Sequence, residues 1–240
     1  MDFAAAARAA AHLFSPDLSD ALTVAGADAH HLARVRRLRP GERVTVADGN
    51  GTWRPYDVVA ADRDTLELVA TGESVREPIL RPALAVAFAI TKGSKPELVV
   101  RQLTELGADR IRPIFSERSV PRWDERRNTS AAVRLGRVAR EAAAQCRRAR
   151  LPVVDEPGAL AALAGVPDLV IADRDGPPEP PPGDWTLVVG PEGGLTAAEL
   201  APLGDAPHLA VGVHVLRADT AAVAAAAVLA ARRLPDDHPA

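Results

Sequence analysis

The sequence predicts an α/β protein in which a β-rich N-terminal segment precedes a larger unit built on a mostly parallel sheet. Residues 42–70 alternate between apolar and polar, as half-buried strands do. From Ala83 onward, continuous apolar runs alternate with segments of helical periodicity, which is typical of buried parallel strands joined by helices. The two patterns indicate two regions of different structural class.

In the N-terminal region, strands are predicted at 44–46, 56–59 and 66–69, and a short helix is predicted to start near Asp28. The stretch Asp48-Gly49-Asn50-Gly51 separates the first two strands and has the composition of a hairpin turn. We therefore expect a small β-barrel. A linker is predicted at 76–82, which contains two prolines.

In the second region, strands are predicted at 83–90, 110–115, 151–154, 168–173, 186–190 and 208–213, and helices at 96–107, at 129–148, after Thr196 and from about Asp219. Parallel α/β sheets bind ligands beyond the carboxyl ends of their strands, and Gly190 and Gly212 both fall at such ends. The proline-rich loop 174–184 is expected to be stiff and exposed.

The stretch VVGPEGGLTAAEL (188–200) combines three glycines, a proline and a carboxylate in one turn. One interpretation is a plain strand-to-helix connection, in which glycine supplies unusual backbone angles and Thr196 caps the next helix ahead of Glu199. The other interpretation is a loop whose bare backbone lies against a ligand. Its position after a predicted parallel strand favours the ligand loop.

The 240-residue chain has a net charge of −3, but its charges are unevenly distributed. Residues 92–150 hold 15 Lys and Arg against 7 Asp and Glu, whereas residues 151–240 hold 4 against 13. A basic block in an otherwise acidic chain suits a polyanion, because neutralised phosphates release counterions. A solvated helix face is the other explanation.

Several classes of protein are disfavoured. Cys146 is the single cysteine, so neither an internal disulfide nor a multi-cysteine metal site can form, and we expect a reducing, cytoplasmic compartment. No apolar run reaches the roughly 20 residues of a membrane span, and the first residues make a poor signal peptide. Phosphate-loop, zincin and serine-hydrolase motifs are absent, and the six histidines lack ligand spacing, so we expect no metal.

Four sequence blocks occur in order, namely KGSKPELVVRQLTELGADRIRPIFSERSV (92–120), EAAAQCRRARLPVV (141–154), VVGPEGGLTAAEL (188–200) and VGVHVLRADTAAVAA (211–225). Together they resemble the RsmE family of the SPOUT superfamily, whose members methylate N3 of a uridine in 16S ribosomal RNA. The stretch HLARVRRLRPGERVTVADGNG (31–51) is similar to the opening of that family's PUA-like barrel.

This resemblance implies a fold, a cofactor and partners. Residues 1–78 would form a PUA-like RNA-binding β-barrel. Residues 79–240 would form a SPOUT methyltransferase domain with a trefoil knot, an exception to the rule that chains do not thread loops. The cofactor would be S-adenosyl-L-methionine, the substrate ribosomal RNA of the small subunit, and the assembly a homodimer.

The resemblance also implies site residues. Two loops would bind the cofactor, through Gly190, Pro191, Glu192, Gly193 and Gly194 in the first and Val211, Gly212, Val215, Leu216 and Arg217 in the second. Arg217 and Asp219 would be catalytic. RNA would be contacted by His31, Arg34, Arg37, Lys92, Lys95, Arg118, Arg122, Arg147 and Arg148.

The chain departs from the family pattern at three places. Arg217-Ala218-Asp219-Thr220-Ala221 stands where R-x-E-T-A is common, His214 stands where an arginine is common, and Val35-Arg36-Arg37 replaces VLR. Arg217 suits stabilisation of the anion that develops on uracil, or contact with the target phosphate, and an ordinary surface ion pair is the alternative. Asp219 is a base, a partner that orients Arg217, or a helix N-cap together with Thr220.

The sequence allows more than one interpretation of residues 117–119, of Cys146 and of the chain as a whole. Glu117-Arg118-Ser119 follows a strand end, where it either serves function or forms a structural salt bridge. Cys146 is expected to pack rather than to react, because the sequence provides it with no neighbouring base. As a whole, the chain is compatible with a non-catalytic RNA-binding relative or with a related methyltransferase that acts on another RNA position.

Overall fold

The computed structural model describes residues 9–26, 38–62, 65–90, 95–118 and 125–235, so the helix predicted near Asp28 lies outside the described residues. The chain divides into two compact units. The first comprises Met1–Pro78 with Ala143–Leu151, and the second comprises Ile79–Ala142 with Pro152–Ala240. Nothing in the sequence indicated that residues 143–151 belong to the first unit.

The first unit contains a six-stranded sheet. Its strands are β1 (Ala11–Phe14), β2 (Ala21–Ala25), β3 (Arg43–Ala47), β4 (Thr52–Ala61), β5 (Thr65–Ala70) and β6 (Val75–Arg76). They lie in the order β1-β3-β4-β5-β2, and β6 also pairs with β4. β1 runs parallel to β3, and the other described pairs of this sheet are antiparallel. The three strands predicted in this region are confirmed.

The predicted hairpin turn joins β3 to β4. Asp48 Oδ1 accepts the backbone N–H groups of Asn50 at 2.7 Å and Thr52 at 2.9 Å. Gly49 and Gly51 have φ angles of 80° and 103°, which glycine adopts without the steric penalty of a Cβ atom. Local polar chemistry therefore helps to fix the pairing of the two strands.

Alternation along β5 gives the first unit its core. Leu66 and Leu68 are buried, while Glu67 between them is exposed, because successive side chains point to opposite faces of a strand. Tyr56 of β4 is fully buried in the same core, and its hydroxyl donates to the Ser19 carbonyl at 2.9 Å. The polar end of this tyrosine is therefore satisfied inside an apolar cluster.

The second unit is built on a seven-stranded parallel sheet. Its strands are β8 (Leu84–Ala89), β9 (Arg110–Phe115), β10 (Val153–Val154), β11 (Gly158–Ala159), β12 (Leu169–Ala172), β13 (Trp185–Val189) and β14 (His208–Leu209). Their order is β10-β9-β8-β13-β12-β14, with β11 on β9, and the described pairings are parallel. The predicted parallel α/β class is confirmed for this unit.

A separate antiparallel pair consists of β7 (Leu80–Arg81) and β15 (Leu234–Pro235). The segment 76–82 that was predicted as a linker therefore contains strand residues of β6 and β7. The division between the two units also falls in this segment, between Pro78 and Ile79.

Helices cover the parallel sheet. They are α1 (Lys95–Glu105), α2 (Glu125–Cys146), α3 (Ala197–Leu200) and α4 (Ala218–Ala230), with 3-10 turns at Leu160–Leu163 and Ala201–Leu203. Small alanines of α4 pack in one buried cluster with Val86 and Leu187 of the sheet. In the described parts of the chain, no helix combines the length and apolarity that crossing a membrane requires.

The strand predicted at 208–213 is too long. Pairing with β12 ends at Leu209, and the chain continues as an irregular loop in which Val213 is 87% exposed. The Ala210 N–H donates to the Pro177 carbonyl at 2.9 Å, outside the strand ladder. An apolar run predicts a strand from its composition, but it does not show how far a partner strand extends.

The buried side chain of Arg233, which follows α4, hydrogen-bonds residues next to the parallel sheet. The guanidinium of Arg233 donates to the carbonyls of Pro82 and Gly107 at 2.6 Å each and of Leu80 at 3.2 Å, and it also bonds the Asp109 carboxylate. Its side chain is almost fully buried. These contacts join the residues before β8 to the turn before β9.

Candidate functional site

A cleft of about 450 Å³ lies at the carboxyl ends of β12 and β13, a volume in the range of small-molecule sites. It is lined by residues 171–175 at the end of β12, residues 189–195 at the end of β13, Leu200 of α3, and parts of 208–221, from β14 to the first turn of α4. This is the edge of the sheet at which parallel topology predicts a ligand.

The glycine loop (residues 190–194) forms one wall of the cleft, and all five of its residues line the cavity. The Gly194 N–H donates to the Pro191 carbonyl at 2.8 Å, which closes a tight turn, and Gly194 has a φ of 70°. A Cβ atom on Gly190 would lie 3.0 Å from Leu195 Cγ. Glycine is therefore needed for the turn at 194 and for close packing at 190.

The predicted cap of α3 by Thr196 is confirmed, and the capping residues also contact the turn after β9. Thr196 Oγ1 accepts the Glu199 N–H at 3.3 Å, and Glu199 Oε2 accepts the Thr196 N–H at 2.9 Å, which makes a capping box. Glu199 Oε1 also accepts the Glu117 N–H at 2.8 Å. One buried carboxylate thus joins the glycine loop to the turn after β9.

Arg118 lies against the glycine loop. Its guanidinium donates to the Gly193 carbonyl, and a Cβ atom on Gly193 would lie 3.1 Å from Arg118 Cδ. Within the described residues, Arg118 contacts this backbone group and forms no salt bridge of the kind considered for residues 117–119. Ser119 lies outside the described residues.

The second loop (residues 211–217) forms another wall. The predicted cofactor residues Val211, Gly212, Val215 and Leu216 line the cleft, as does His214. Arg217 lies between the lining residues Leu216 and Ala218, and its side chain is exposed. The structure therefore brings nine of the ten predicted cofactor residues to one cavity and places Arg217 beside it.

Asp219 lies in the first turn of α4 rather than at its cap. The N-cap residue is Arg217, with an extended backbone and no side-chain capping bond, so the N-cap assignment of Asp219 and Thr220 is wrong because the helix begins at Ala218. Asp219 Oδ1 instead accepts from Lys95 Nζ at 3.3 Å. The first turns of α1 and α4 are thereby joined by a half-buried ion pair.

Sequence reasoning missed a hydrogen-bonded pair of side chains that lines the cleft. Asp173 follows β12, His208 lies on β14, and His208 Nδ1 is 2.7 Å from Asp173 Oδ2. The N–H of Asp175, and then His208, hold the pKa of the Asp173 carboxyl below its usual range. The position of Asp173 directly after a parallel strand is the signal that could have identified it.

The predicted RNA-binding residues are distributed over both units. Lys95 and Arg118 lie in the second unit, as described above. Arg147 and Arg148 lie in the first unit, just after α2, where Arg147 Nη2 donates to the Ala9 carbonyl at 2.5 Å. The remaining five predicted contacts lie outside the described residues: His31, Arg34, Arg37, Lys92 and Arg122.

Comparison with known proteins assigns this fold and cleft to a class. Residues 80–230 match the model of an RNA methyltransferase domain, and residues 24–71 match an RNA methyltransferase PUA domain. The two matches define an RNA methyltransferase fold joined to a PUA domain. Within that class, the chain belongs to the ribosomal RNA small subunit methyltransferase E (RsmE) family, which confirms the predicted family.

Individual relatives agree with this membership. Ribosomal RNA small subunit methyltransferase E of Mycobacterium bovis is 37% identical over 229 residues, covering 88% of this chain and 86% of the relative. The Bacillus subtilis protein of the same name is 28% identical over 221 residues, covering 83% and 85%. A crystal structure of the Neisseria gonorrhoeae protein of that name, bound to S-adenosyl methionine, has a TM-score of 0.78 and 26% identity, covering 91% of this chain and 96% of that one.

Proposed function

We propose that this protein is an S-adenosylmethionine-dependent methyltransferase that modifies N3 of a uridine in 16S ribosomal RNA of the small subunit, in the cytoplasm. Membership of the RsmE family is the observation that carries the proposal. The cleft at the carboxyl edge of the sheet supports it, because it gives the chain a cavity of suitable size for that cofactor.

The residues of the cleft fit S-adenosylmethionine. Gly193 and Gly194 are exposed residues without side chains, so the backbone of the glycine loop can come close to a ligand. Leu195 and Leu216 supply apolar surface for a flat adenine ring. The carboxylate of Glu192 is among the lining groups that offset the positive charges of the cofactor.

The chemistry divides between the cofactor and the residues at the start of α4. When bound, S-adenosylmethionine supplies a methyl group on a sulfonium centre. Uracil N3 has to lose its proton as it attacks, and negative charge then spreads to O2 and O4. We assign Arg217 to stabilise that charge, because it is permanently cationic and exposed beside the cleft.

We consider two alternative roles for Asp219. It lies two residues after Arg217, at the first turn of α4, and its carboxylate is held by Lys95. In one role Asp219 accepts the N3 proton, and in the other the Lys95–Asp219 pair fixes the first turn so that Arg217 is correctly placed. Orientation of Arg217 through a direct Asp219 contact is less well supported, because the carboxylate hydrogen-bonds Lys95.

The finer architecture is also a proposal. We assign residues 1–78 to a PUA-like RNA-binding barrel and residues 79–240 to a SPOUT domain with a trefoil knot that acts as a homodimer. The six-stranded sheet of the first unit and the parallel sheet of the second support this assignment. Phosphate contacts are assigned to Lys95, Arg118, Arg147 and Arg148, with His31, Arg34, Arg37, Lys92 and Arg122 from outside the described residues.

The exchange Gly193→Val tests the cofactor cleft. A Cβ atom there would already lie 3.1 Å from Arg118 Cδ, and valine would add two further methyl groups at a residue that lines the cleft. We expect calorimetry to show loss of S-adenosylmethionine binding with an unchanged melting temperature. Gly136→Val in α2, where a Cβ atom meets nothing within 4 Å, is the matched control. Normal affinity in Gly193→Val would exclude the glycine loop from the site.

Transfer of a labelled methyl group to small subunits from cells that lack this protein tests the reaction itself. Nucleoside mass spectrometry after nuclease digestion should identify 3-methyluridine. A methyl group on another base or atom would instead support a related methyltransferase that acts elsewhere on RNA. RNA binding without transfer, under conditions in which the cofactor binds, would support a non-catalytic relative.

A further inference from the structure

Asp173 and His208 form a hydrogen-bonded pair in the wall of the cleft, outside both cofactor loops. Each side chain is 39% exposed, and both residues line the cavity. Neither is needed for the steps assigned to Arg217 and Asp219. Because this carboxylate–imidazole pair is partly exposed to a ligand cavity, we expect it to contact a polar group of the ligand.

The backbone around this pair is tightly held. The Asp173 N–H donates to the Leu209 carbonyl at 3.0 Å, and the Asp173 carbonyl accepts the Gly176 N–H at 3.2 Å. A Cβ atom on Gly176 would lie 2.9 Å from both His208 Cβ and Leu209 N, so a larger residue would displace the strand. The pair is thus presented by two neighbouring chain segments in a fixed arrangement.

The Asp173 carboxylate keeps acceptor positions for a ligand. Its Oδ1 accepts the Asp175 N–H at 3.1 Å, and its Oδ2 bonds His208 Nδ1 at 2.7 Å. A carboxylate has about four lone-pair positions, and these two bonds use two of them. Because its pKa is lowered by those same bonds, the group is an anionic acceptor at neutral pH. The next two charged residues along the chain, Arg174 and Asp175, pair with each other.

The place of Asp173 in the sheet points to the kind of ligand group. β12 lies directly beside β13, whose end carries the glycine loop. In parallel sheets that bind nucleotides, the glycine loop after one strand approaches the ligand through its backbone, and a carboxylate from another part of the same crevice hydrogen-bonds the ribose hydroxyls. The cleft in this protein combines both features.

We propose that Asp173 hydrogen-bonds the ribose hydroxyls of the adenosyl cofactor and that His208 is the residue that positions its carboxylate. This inference rests on the proposed function, because it requires an adenosyl ligand in the cleft. It assigns cofactor recognition to a carboxylate–imidazole pair in which the two residues are 35 positions apart in the chain.

Calorimetric titration with S-adenosylhomocysteine and with its 2′,3′-dideoxy analogue tests the role of Asp173. The wild-type protein should bind S-adenosylhomocysteine about 10- to 100-fold more tightly, the range for hydrogen bonds to a charged group. In Asp173→Ala that ratio should fall to within about threefold, because the coupling between carboxylate and hydroxyls is lost. Glu179→Ala is the matched control, since this exposed carboxylate lies in the proline-rich loop and does not line the cleft, and it should keep the wild-type ratio.

The exchanges His208→Asn and His208→Ala test positioning. The asparagine amide places an N–H donor near the position of Nδ1, so His208→Asn should keep most of the preference for the ribose hydroxyls, whereas His208→Ala should lose it in part. Equal ratios in the wild-type protein and His208→Ala would remove the positioning role. Melting temperatures measured in parallel show whether each variant is folded.

The possible failures are distinguishable. If the wild-type protein binds neither ligand, both the proposed cofactor and this inference are wrong. If it binds the two ligands equally well, the inference is wrong and the proposed function stands. If Asp173→Ala weakens both ligands by the same factor, the carboxylate serves another group, such as the ammonium of the cofactor, and the ribose assignment is overturned.

Discussion

The exchange Glu199→Gln tests how the glycine loop is held. Glu199 is 8% exposed, and its two carboxylate oxygens accept the N–H groups of Glu117 at 2.8 Å and Thr196 at 2.9 Å. Glutamine has nearly the same shape but only one oxygen. One of the two N–H groups would therefore face an NH2 group and lose its acceptor.

The structure sets the size of the effect. A hydrogen bond to a charged group contributes about 1.5–3 kcal/mol, so we expect Glu199→Gln to lower the free energy of unfolding by about 2 kcal/mol. In a chain of this length, that corresponds to a fall in melting temperature of about 4–8 °C. If the glycine loop is released in the variant and has to be ordered again on binding, the same loss of about 2 kcal/mol lowers the affinity for S-adenosylhomocysteine by up to about 30-fold.

Scanning calorimetry and isothermal titration measure the two quantities on the same samples. The control is Glu179→Gln, the same exchange at an exposed carboxylate in the proline-rich loop, which should change stability by less than about 0.5 kcal/mol. A melting temperature and an affinity in Glu199→Gln that both equal the wild-type values would refute the idea that this carboxylate holds the loop.

Three further predictions concern catalysis, RNA and pH. Arg217→Ala should lower single-turnover methyl transfer at least about 100-fold, whereas Asp219→Asn should match that loss only if the carboxylate accepts the proton; a wild-type rate in Arg217→Ala would contradict the assigned site. Replacing Arg147 and Arg148 with Ala should flatten the salt dependence of RNA binding without changing cofactor affinity, and an unchanged slope would exclude them as phosphate contacts. Burial, followed by the charge of Arg147, lowers the pKa of His12 from 6.5 to about 4. Between pH 6.5 and pH 4, His12 therefore binds a proton in the unfolded chain more readily than in the folded one. The free energy of unfolding from denaturant titrations should fall by about 3 kcal/mol over that range. The same fall in His12→Gln would contradict this cause.

Local sequence patterns predicted the parts of the site that depend on neighbouring residues. The glycine loop and the capping box of Thr196 and Glu199 each lie within a few residues of chain, where backbone angles and side-chain caps leave a compositional signal. The hairpin turn at 48–51 was predictable for the same reason. These elements were found correctly because their stabilising bonds are local.

Contacts between residues that are far apart in the chain left no recognisable pattern in the local sequence. Lys95 and Asp219 are 124 positions apart, and Arg233 and Asp109 are also 124 positions apart. Each pair depends on how the sheet orders its strands, which periodicity does not reveal. The prediction that the strand at 208 extends to residue 213 failed because the strand length depends on a partner, and β12 pairs only as far as Leu209.

Mapping the modified nucleosides of 16S ribosomal RNA shows whether this protein methylates N3 of a uridine in cells. RNA from cells that lack this protein would be compared with RNA from the same cells expressing the wild-type chain or Arg217→Ala, each digested to fragments and analysed by mass spectrometry. We predict one uridine that carries an N3 methyl group with the wild-type chain and lacks it in the other two samples. An unchanged set of methylated uridines in cells without the protein would contradict the proposed methyltransferase activity.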